Sequence, residues 1–313
     1  MRIAIAGAGA VGAYLGAALH RAGQDVRLLA RGAQLGAIAA RGVRVTGASE
    51  FQAHPPATGD ANEIGPVDVV FLGVKAHSLT ELAPRLAPLL GPETAVVTLQ
   101  NGVPWWYFAD LPLERVDPGG VIAAAIERRR VVGGIVYLSV ELMEPGVVRH
   151  VAGSRITIGE PGGERTGRCR LIAQALAAAG LRCPVTAHIR EEIWVKVLGN
   201  MAFNPMSALG RATLDRITGD PDARALARAI MEEGEAVSAK LGMRLPVGIE
   251  QRLAGAAKVG AHKTSMLQDL EAGRRLELEP IVGAVLEIGD RLGIAMPATR
   301  AVYACARLLQ PVQ

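Results

Sequence analysis

Six residues near the start of the chain, Gly7-Ala8-Gly9-Ala10-Val11-Gly12, constrain its fold more than any other stretch. They follow the apolar, strand-like run Arg2–Ala6 and lead directly into helix-forming residues 13–21, which stop at Ala22-Gly23. A second apolar run at residues 25–30 completes a βαβ unit of about thirty residues. In that setting G-x-G-x-x-G is a dinucleotide-binding fingerprint. Gly7 allows the tight turn, Gly9 lets the backbone approach a pyrophosphate, and Gly12 permits close helix–strand contact. The phosphates are expected against the free N–H groups where the loop opens the helix.

The rest of the chain is consistent with that start. Further apolar runs occur at residues 67–74, 95–99 and 134–138, with helical stretches such as residues 79–90 between the first of them. Strands alternating with helices predict an α/β fold with a mostly parallel, Rossmann-type doubly wound sheet. Residues 141–159 alternate around a Pro145-Gly146 turn, which predicts antiparallel strands added at the sheet edge. After Pro184 strand signals fade. Residues 189–208, 223–241, 248–259 and 280–292 carry helix-period apolar positions, with Gly242 and Gly293 as stops. The expected organisation is a dinucleotide-binding domain over residues 1–187 and an all-α domain over residues 188–313.

Composition narrows the function classes. Half the residues are apolar, enough for a large core, which argues against a disordered chain. Cys169, Cys183 and Cys305 are odd in number and widely spaced, so reduced thiols in a cytoplasmic setting are expected. Net charge is only +4 and no long basic run is interleaved with aromatics, which argues against nucleic acid. Glu127-Arg128-Arg129-Arg130 is expected as a solvated cluster. Glycines interrupt the apolar N-terminus and no run of about 20 apolar residues follows, so neither a signal peptide nor a membrane span is expected. Scattered histidines give no metal-ligand spacing.

The end of the second predicted strand decides which dinucleotide fits. An NAD site places an acid there to bind the ribose hydroxyls, whereas this chain has Ala30-Arg31-Gly32. Asp25 comes too early. A guanidinium suits a 2′-phosphate, so Arg31 points to NADP(H), the alternative being a solvated loop arginine. Two other strand ends carry polar residues. Lys75 could supply positive charge near a cofactor or acidic substrate, or simply be exposed. Asn101 could bridge ribose and substrate, or belong to an ordinary Asn-Gly turn. His77 reads as structural.

Lys196, Asn200 and Asn204 recur every four residues on an otherwise apolar helical stretch that includes Trp194. A small polar ligand would satisfy such a stripe, and desolvation would lower the lysine pKa toward that of a proton donor. A polar edge facing solvent is the alternative. Farther on, Ser265 could hydrogen-bond a carboxylate, and Glu277 could orient Lys196 or a substrate hydroxyl. Both are also ordinary surface-helix residues.

Taken together, these motifs resemble the ketopantoate reductase (2-dehydropantoate 2-reductase) family. The resemblance rests on GAGAVG at 7–12, Arg31, Lys75, Gln100-Asn101-Gly102, GG…Y at 133–137 and PGVVRH at 145–150. It continues through IWVKVLGNMAFNP at 193–205, HKTSMLQDLEAG at 262–273, Glu277 and Gly283, and so spans nearly the whole chain. It implies NADPH-dependent reduction of 2-dehydropantoate to (R)-pantoate, a step toward pantothenate and coenzyme A, with substrate in a cleft between domains. By the same resemblance Lys196 is the proton donor and Asn200, Asn204 and Ser265 bind substrate. Asn101 touches both ligands, and Glu277 lies near the lysine and the cofactor. The fingerprint residues Gly7, Ala8, Gly9, Ala10, Val11 and Gly12, with Arg31 and Lys75, hold the cofactor. A homodimer is compatible with the sequence but not fixed by it. Leu214 stands where some members carry another polar substrate contact, and His188 where an acid would fit. Two alternatives stay open: a paralogous NADPH-dependent reductase of another branched 2-oxo acid, and a non-catalytic NADP-binding regulator.

Overall fold

In the computed structural model, which describes residues 1–310, β1 (Arg2–Ala6), α1 (Ala10–Arg21) and β2 (Asp25–Leu29) form the opening βαβ unit. There follow α2 (Gly32–Arg41), β3 (Val43–Gly47), β4 (Phe51–Ala53), β5 (Ala57–Thr58), the single turn α3 (Ala61–Ile64), β6 (Val67–Leu72), the single turn α4 (Leu79–Leu82) and β7 (Leu90–Thr98). Then come α5 (Val121–Ala125), the long hairpin β8 (Val131–Glu144) and β9 (Val147–Gly159), and α6 (Gly167–Ala178). Nine strands make one mixed, mostly parallel sheet in the order β4-β3-β9-β8-β7-β6-β1-β2-β5.

The sheet is held by apolar residues that strand periodicity puts on its faces. Ile3 and Ile5 of β1, Leu28 of β2 and Val97 of β7 are fully buried, as are Leu15 and Leu19 of α1. Each such side chain contributes about 1.5–3 kcal/mol. β1 pairs in parallel with β2 on one side and β6 on the other. The connection order reverses across that strand, so the carboxyl ends of β1 and β6 form a switch-point crevice, where open α/β sheets bind ligands.

Three local expectations are corrected. The β8–β9 hairpin is antiparallel but not at the edge, because β9 pairs in parallel with β3 and leaves β4 outermost. The pairing strand β3 is only five residues long between Gly42 and Ala48, too short for its alternation to stand out. Residues 79–90 do not form one helix. After α4 the chain tightens to a 3-10 helix at Ala83–Leu89, since Pro84 and Pro88 lack the N–H an α-helix needs. The arginine cluster is not simply solvated. Arg130 is buried and donates to the Gly91 and Pro92 carbonyls, while Arg128 donates to the carbonyls of Trp106 and Phe108. The carbonyls at the irregular start of β7, where the register with β6 shifts, and in the loop after β7 need donors, and a guanidinium has five. Only Glu127 and Arg129 stay exposed, paired at 2.5 Å.

Contacts divide the chain into two units. The first holds Met1–Gln100, Trp106–Ala109 and Gly119–Ile189. The second holds the chain from Arg190 onward and also Asn101–Trp105 and Asp110–Pro118, both of which fall inside residues 1–187. The second unit is helical: α7 (Ile189–Gly210, its first residue counted with the first unit), α8 (Leu214–Gly219), α9 (Pro221–Lys240), α10 (Ile249–Val259), α11 (Ser265–Glu271), a π-helical turn at Glu279–Gly283, α12 (Ala284–Leu292) and α13 (Pro297–Arg307). Asp220 caps α9 ahead of Pro221, accepting from Ala223 N–H. Glu233 of α9 caps α13 by accepting from the N–H groups of Ala298 and Thr299 at 2.8 Å. Trp194 of α7 is fully buried, its indole N–H donating to the Gly234 carbonyl. The two excursions are pinned within this unit. Val103 N–H donates to the Pro280 carbonyl at 2.8 Å, and Glu287 of α12 accepts from the Glu114 and Arg115 N–H groups at 3.0 Å. Among the described residues no helix is long and apolar enough to cross a membrane.

Candidate active site

In the first unit the fingerprint loop has the shape its glycines predict. Gly7 has φ +102°, and a Cβ there would strike the Val74 side chain; one at Gly12 would strike the Gly7 carbonyl oxygen. Gly9 differs: the nearest protein atom to its Cβ position is the Gly73 carbonyl oxygen at 3.7 Å. That face of the loop is left open, and any side chain would fill it. Gly9 also begins α1 without a side-chain cap, and no acidic residue lies in the first turn, which starts with Ala10 and Val11. The N–H groups there have no helical acceptors and suit an anion. The loop therefore fits a dinucleotide pyrophosphate.

Beside it opens a cavity of about 220 Å³, lined in part by Gly7, Ala8, Gly9, Arg31, Glu81 and Arg85. Arg31, the residue before α2, is exposed and its Nη1 pairs with Glu81 Oε1 at 2.9 Å. Gln34 bridges two elements: its Nε2 donates to the Ala8 carbonyl at 2.7 Å and its Oε1 accepts from Gly146 N–H at 3.1 Å. Asp25 is paired with Arg27 at the far end of β2. Lys75, partly buried, immediately precedes the 3-10 turn Ala76–Ser78 that contains His77. Gln100 donates to the Leu72 and Val74 carbonyls at 2.8 and 2.9 Å, fixing the chain just before Asn101.

The second unit brings three of the sequence candidates together. Lys196 Nζ donates to Asn101 Oδ1 at 2.8 Å, and Asn101 Nδ2 reaches Glu277 Oε2 at 3.4 Å. Glu277 is buried, two residues ahead of the π-helical turn. Burial lowers the Lys196 pKa from 10.5 to about 8, while the Glu277 carboxylate acts to raise it. The site thus holds an ammonium near neutrality, pinned at a known atom. Asn200 and Asn204 follow on α7 at helical spacing, so the stripe is real, but it does not line an exposed edge. Asn204 is only 4% exposed and its Nδ2 has no hydrogen-bond partner. A buried donor in that state is unusual and suits a polar ligand. Ser265 is exposed at the first turn of α11, behind the Thr264 cap. Neither Asn200 nor Ser265 hydrogen-bonds to the Asn101–Lys196–Glu277 chain. Leu214 opens α8, and His188 is exposed just ahead of α7.

Residues 3–163 match the family model described as ketopantoate reductase PanE/ApbA, and residues 188–310 match its C-terminal counterpart. The chain belongs to the ketopantoate reductase family. A 2-dehydropantoate 2-reductase of Mesorhizobium japonicum is 49% identical over 99% of this chain and 98% of its own length. A crystal structure from Ralstonia solanacearum MolK2 superposes with a TM-score of 0.94 at 42% identity, covering 98% of this chain and 97% of that one. The 2-dehydropantoate 2-reductase of Geobacter metallireducens GS-15 gives 0.88 at 32% identity, over 98% and 99%. Ketopantoate reductases are NAD(P)-dependent enzymes, which agrees with the fit of the fingerprint loop to a dinucleotide.

Within this family fold, sequence reading missed Gln34, Glu81 and the seat of Gly102. Each depends on a partner far away in the chain, and none sits in a pattern that local spacing reveals. Gly102 has φ +89°, and a Cβ there would strike the Pro280 carbonyl, so the residue after Asn101 is locked against the π-helical turn. A π-turn close to a buried acid often marks a functional site, and Pro280 at its start was the available signal.

Proposed function

We propose that this ketopantoate reductase family member reduces 2-dehydropantoate to (R)-pantoate with NADPH, with Lys196 as the proton donor. The observation that carries the reading is the partly buried Lys196 ammonium, held on Asn101 at 2.8 Å. When bound, the dihydronicotinamide supplies a hydride to the substrate 2-carbon. Lys196 delivers a proton to the carbonyl oxygen as negative charge develops on it, and its pKa near 8 eases that transfer at neutral pH. Asn101 holds Nζ in place and offers its amide to both ligands. Glu277 keeps Lys196 protonated and, as the family resemblance implies, would also help to hold the cofactor. Asn200 and Asn204 present amides to the substrate one and two turns along α7, and the unpaired Nδ2 of Asn204 gains the acceptor it lacks. Ser265 binds the substrate carboxylate. Residues 1–187 serve as the cofactor domain and residues 188–313 as the substrate domain.

For the cofactor, Gly7, Ala8, Gly9, Ala10, Val11 and Gly12 take the pyrophosphate. Lys75 adds positive charge, and Arg31 takes the 2′-phosphate. The three cysteines are unpaired, which fits a reducing cytoplasm. Leu214 favours one second reading, a reductase of another branched 2-oxo acid, because it puts an apolar side chain at the start of α8.

The test follows the loss of NADPH absorbance with ketopantoate, 2-oxoisovalerate or pyruvate, in the wild type and in Lys196→Ala. Turnover with ketopantoate alone, abolished in the variant, is the expected result. Turnover with another 2-oxo acid would move the specificity and keep the mechanism. NADPH binding without turnover on any substrate would overturn the enzymatic reading in favour of a regulator.

A further inference from the structure

Three charged side chains line the cavity beside the fingerprint loop: Arg31, Arg85 and Glu81. Arg31 follows β2, whereas Glu81 sits on the single turn α4, beyond β6. Their ion pair at 2.9 Å therefore spans two strand ends at the cavity, with the Arg31 and Glu81 side chains 75% and 63% exposed. Arg85 extends to the Gly59 carbonyl at 3.4 Å instead. A carboxylate thus already engages the guanidinium assigned above to the 2′-phosphate.

We infer that Glu81 is a specificity-determining residue: it is the resident counter-ion of Arg31, which a 2′-phosphate must displace and a bare 2′-hydroxyl need not. The inference rests on the proposed NADPH reading of Arg31. Carboxylate and phosphate compete for the same forked N–H donors. Glu81 therefore acts against NADPH in two ways. It occupies Nη1, one end of the fork, and it leaves a negative charge beside a dianion once that end is released. Both effects are modest at an exposed, salt-screened position. Releasing an exposed pair costs at most about fivefold in an equilibrium constant, and like-charge repulsion adds a comparable factor at low salt. Glu81 sets the margin of NADPH over NADH without creating it.

The test is a double-mutant cycle on the full-length protein, measuring NADPH and NADH dissociation constants by fluorescence titration at low and high salt. It compares wild type, Glu81→Gln, Arg31→Gln and the double variant, with Glu81→Ala as a second replacement and thermal melting as a check on folding. Glu81→Gln is expected to tighten NADPH binding about three- to tenfold at low salt and less at high salt, and to change NADH binding less than about twofold. The gain should be clearly smaller in the Arg31→Gln background, where only the like-charge repulsion remains to be removed. Unchanged or weaker NADPH binding in both Glu81 variants, while Arg31→Gln still costs NADPH selectively, overturns the inference and leaves the NADPH reading standing. A gain of equal size with and without Arg31 overturns the pairing argument in favour of a general field. Equal loss of both cofactors in Arg31→Gln removes the NADPH reading itself, and the inference with it.

Discussion

Lys196 donates to Asn101 across 95 residues of sequence, and the buried Glu277 stands at the other end of the same amide. The amide faces an ammonium with its oxygen and a carboxylate with its nitrogen, so its orientation is set by charge at both ends. Removing the ammonium should stop proton delivery without touching the fingerprint loop. Lys196→Ala is expected to lower kcat about 10²- to 10⁴-fold, with NADPH affinity by fluorescence titration within about twofold of wild type. Lys196→Arg should not restore the rate, because a guanidinium does not release its proton near neutrality.

The pH dependence follows from the same pair. Burial lowers the Lys196 pKa from 10.5 to about 8, and the protonated form is the donor. Reduction should therefore be level below about pH 8 and fall about tenfold per unit above it. Glu277 acts to raise the lysine pKa, so Glu277→Gln should move the alkaline limb to lower pH. A kcat–pH profile of both proteins checks the direction. A limb that stays in place would separate Glu277 from Lys196 electrostatically.

Much of this was legible in the sequence, for reasons that differ by element. The fingerprint loop could be read because its constraints are local: Gly7 and Gly12 are packed by atoms within the same βαβ unit or the next strand end. The α7 stripe could be read because helical spacing alone puts Lys196, Asn200 and Asn204 on one side. The edge position of the β8–β9 hairpin was misread because its true neighbour, β3, lies about a hundred residues earlier, and strand partnership leaves no local mark. Charge alone suggests solvent for Arg128 and Arg130, whereas the carbonyls they serve become visible only when the irregular start of β7 at residues 91–92 and the loop at residues 106–108 are in place. The sequence offers Asn101, Lys196 and Glu277 as separate candidates, but only folding reveals the hydrogen-bond chain that joins them.

Gly102 provides a backbone test of that chain. Its φ of +89° and the Pro280 carbonyl at its Cβ position leave no room for a side chain, while Val103 N–H holds the same carbonyl. Gly102→Ala should cost about 1–3 kcal/mol in chemical denaturation, through a strained φ and a displaced loop. Because Asn101 precedes it, kcat should fall more than the stability loss alone would cause at a temperature where the variant is fully folded. A variant that is less stable yet turns over at the wild-type rate would detach this loop from the proton donor.

Asn204 separates binding from folding most cleanly. It is 4% exposed and its Nδ2 lacks a partner, a condition that costs about 1–3 kcal/mol in a folded protein. Asn204→Leu keeps the branching of the side chain and removes the unsatisfied donor, while its two bulkier methyl groups offset part of that gain, so stability should be unchanged or rise by up to about 1 kcal/mol. The substrate would lose a buried hydrogen bond, which raises KM for ketopantoate on the order of 10- to 100-fold, or lowers kcat/KM by as much. A residue kept for structure would give the opposite pattern, a lower melting temperature with KM intact. Melting and steady-state kinetics on one preparation distinguish the two, and a stability unchanged or raised joined to a loss in substrate binding is the expected outcome.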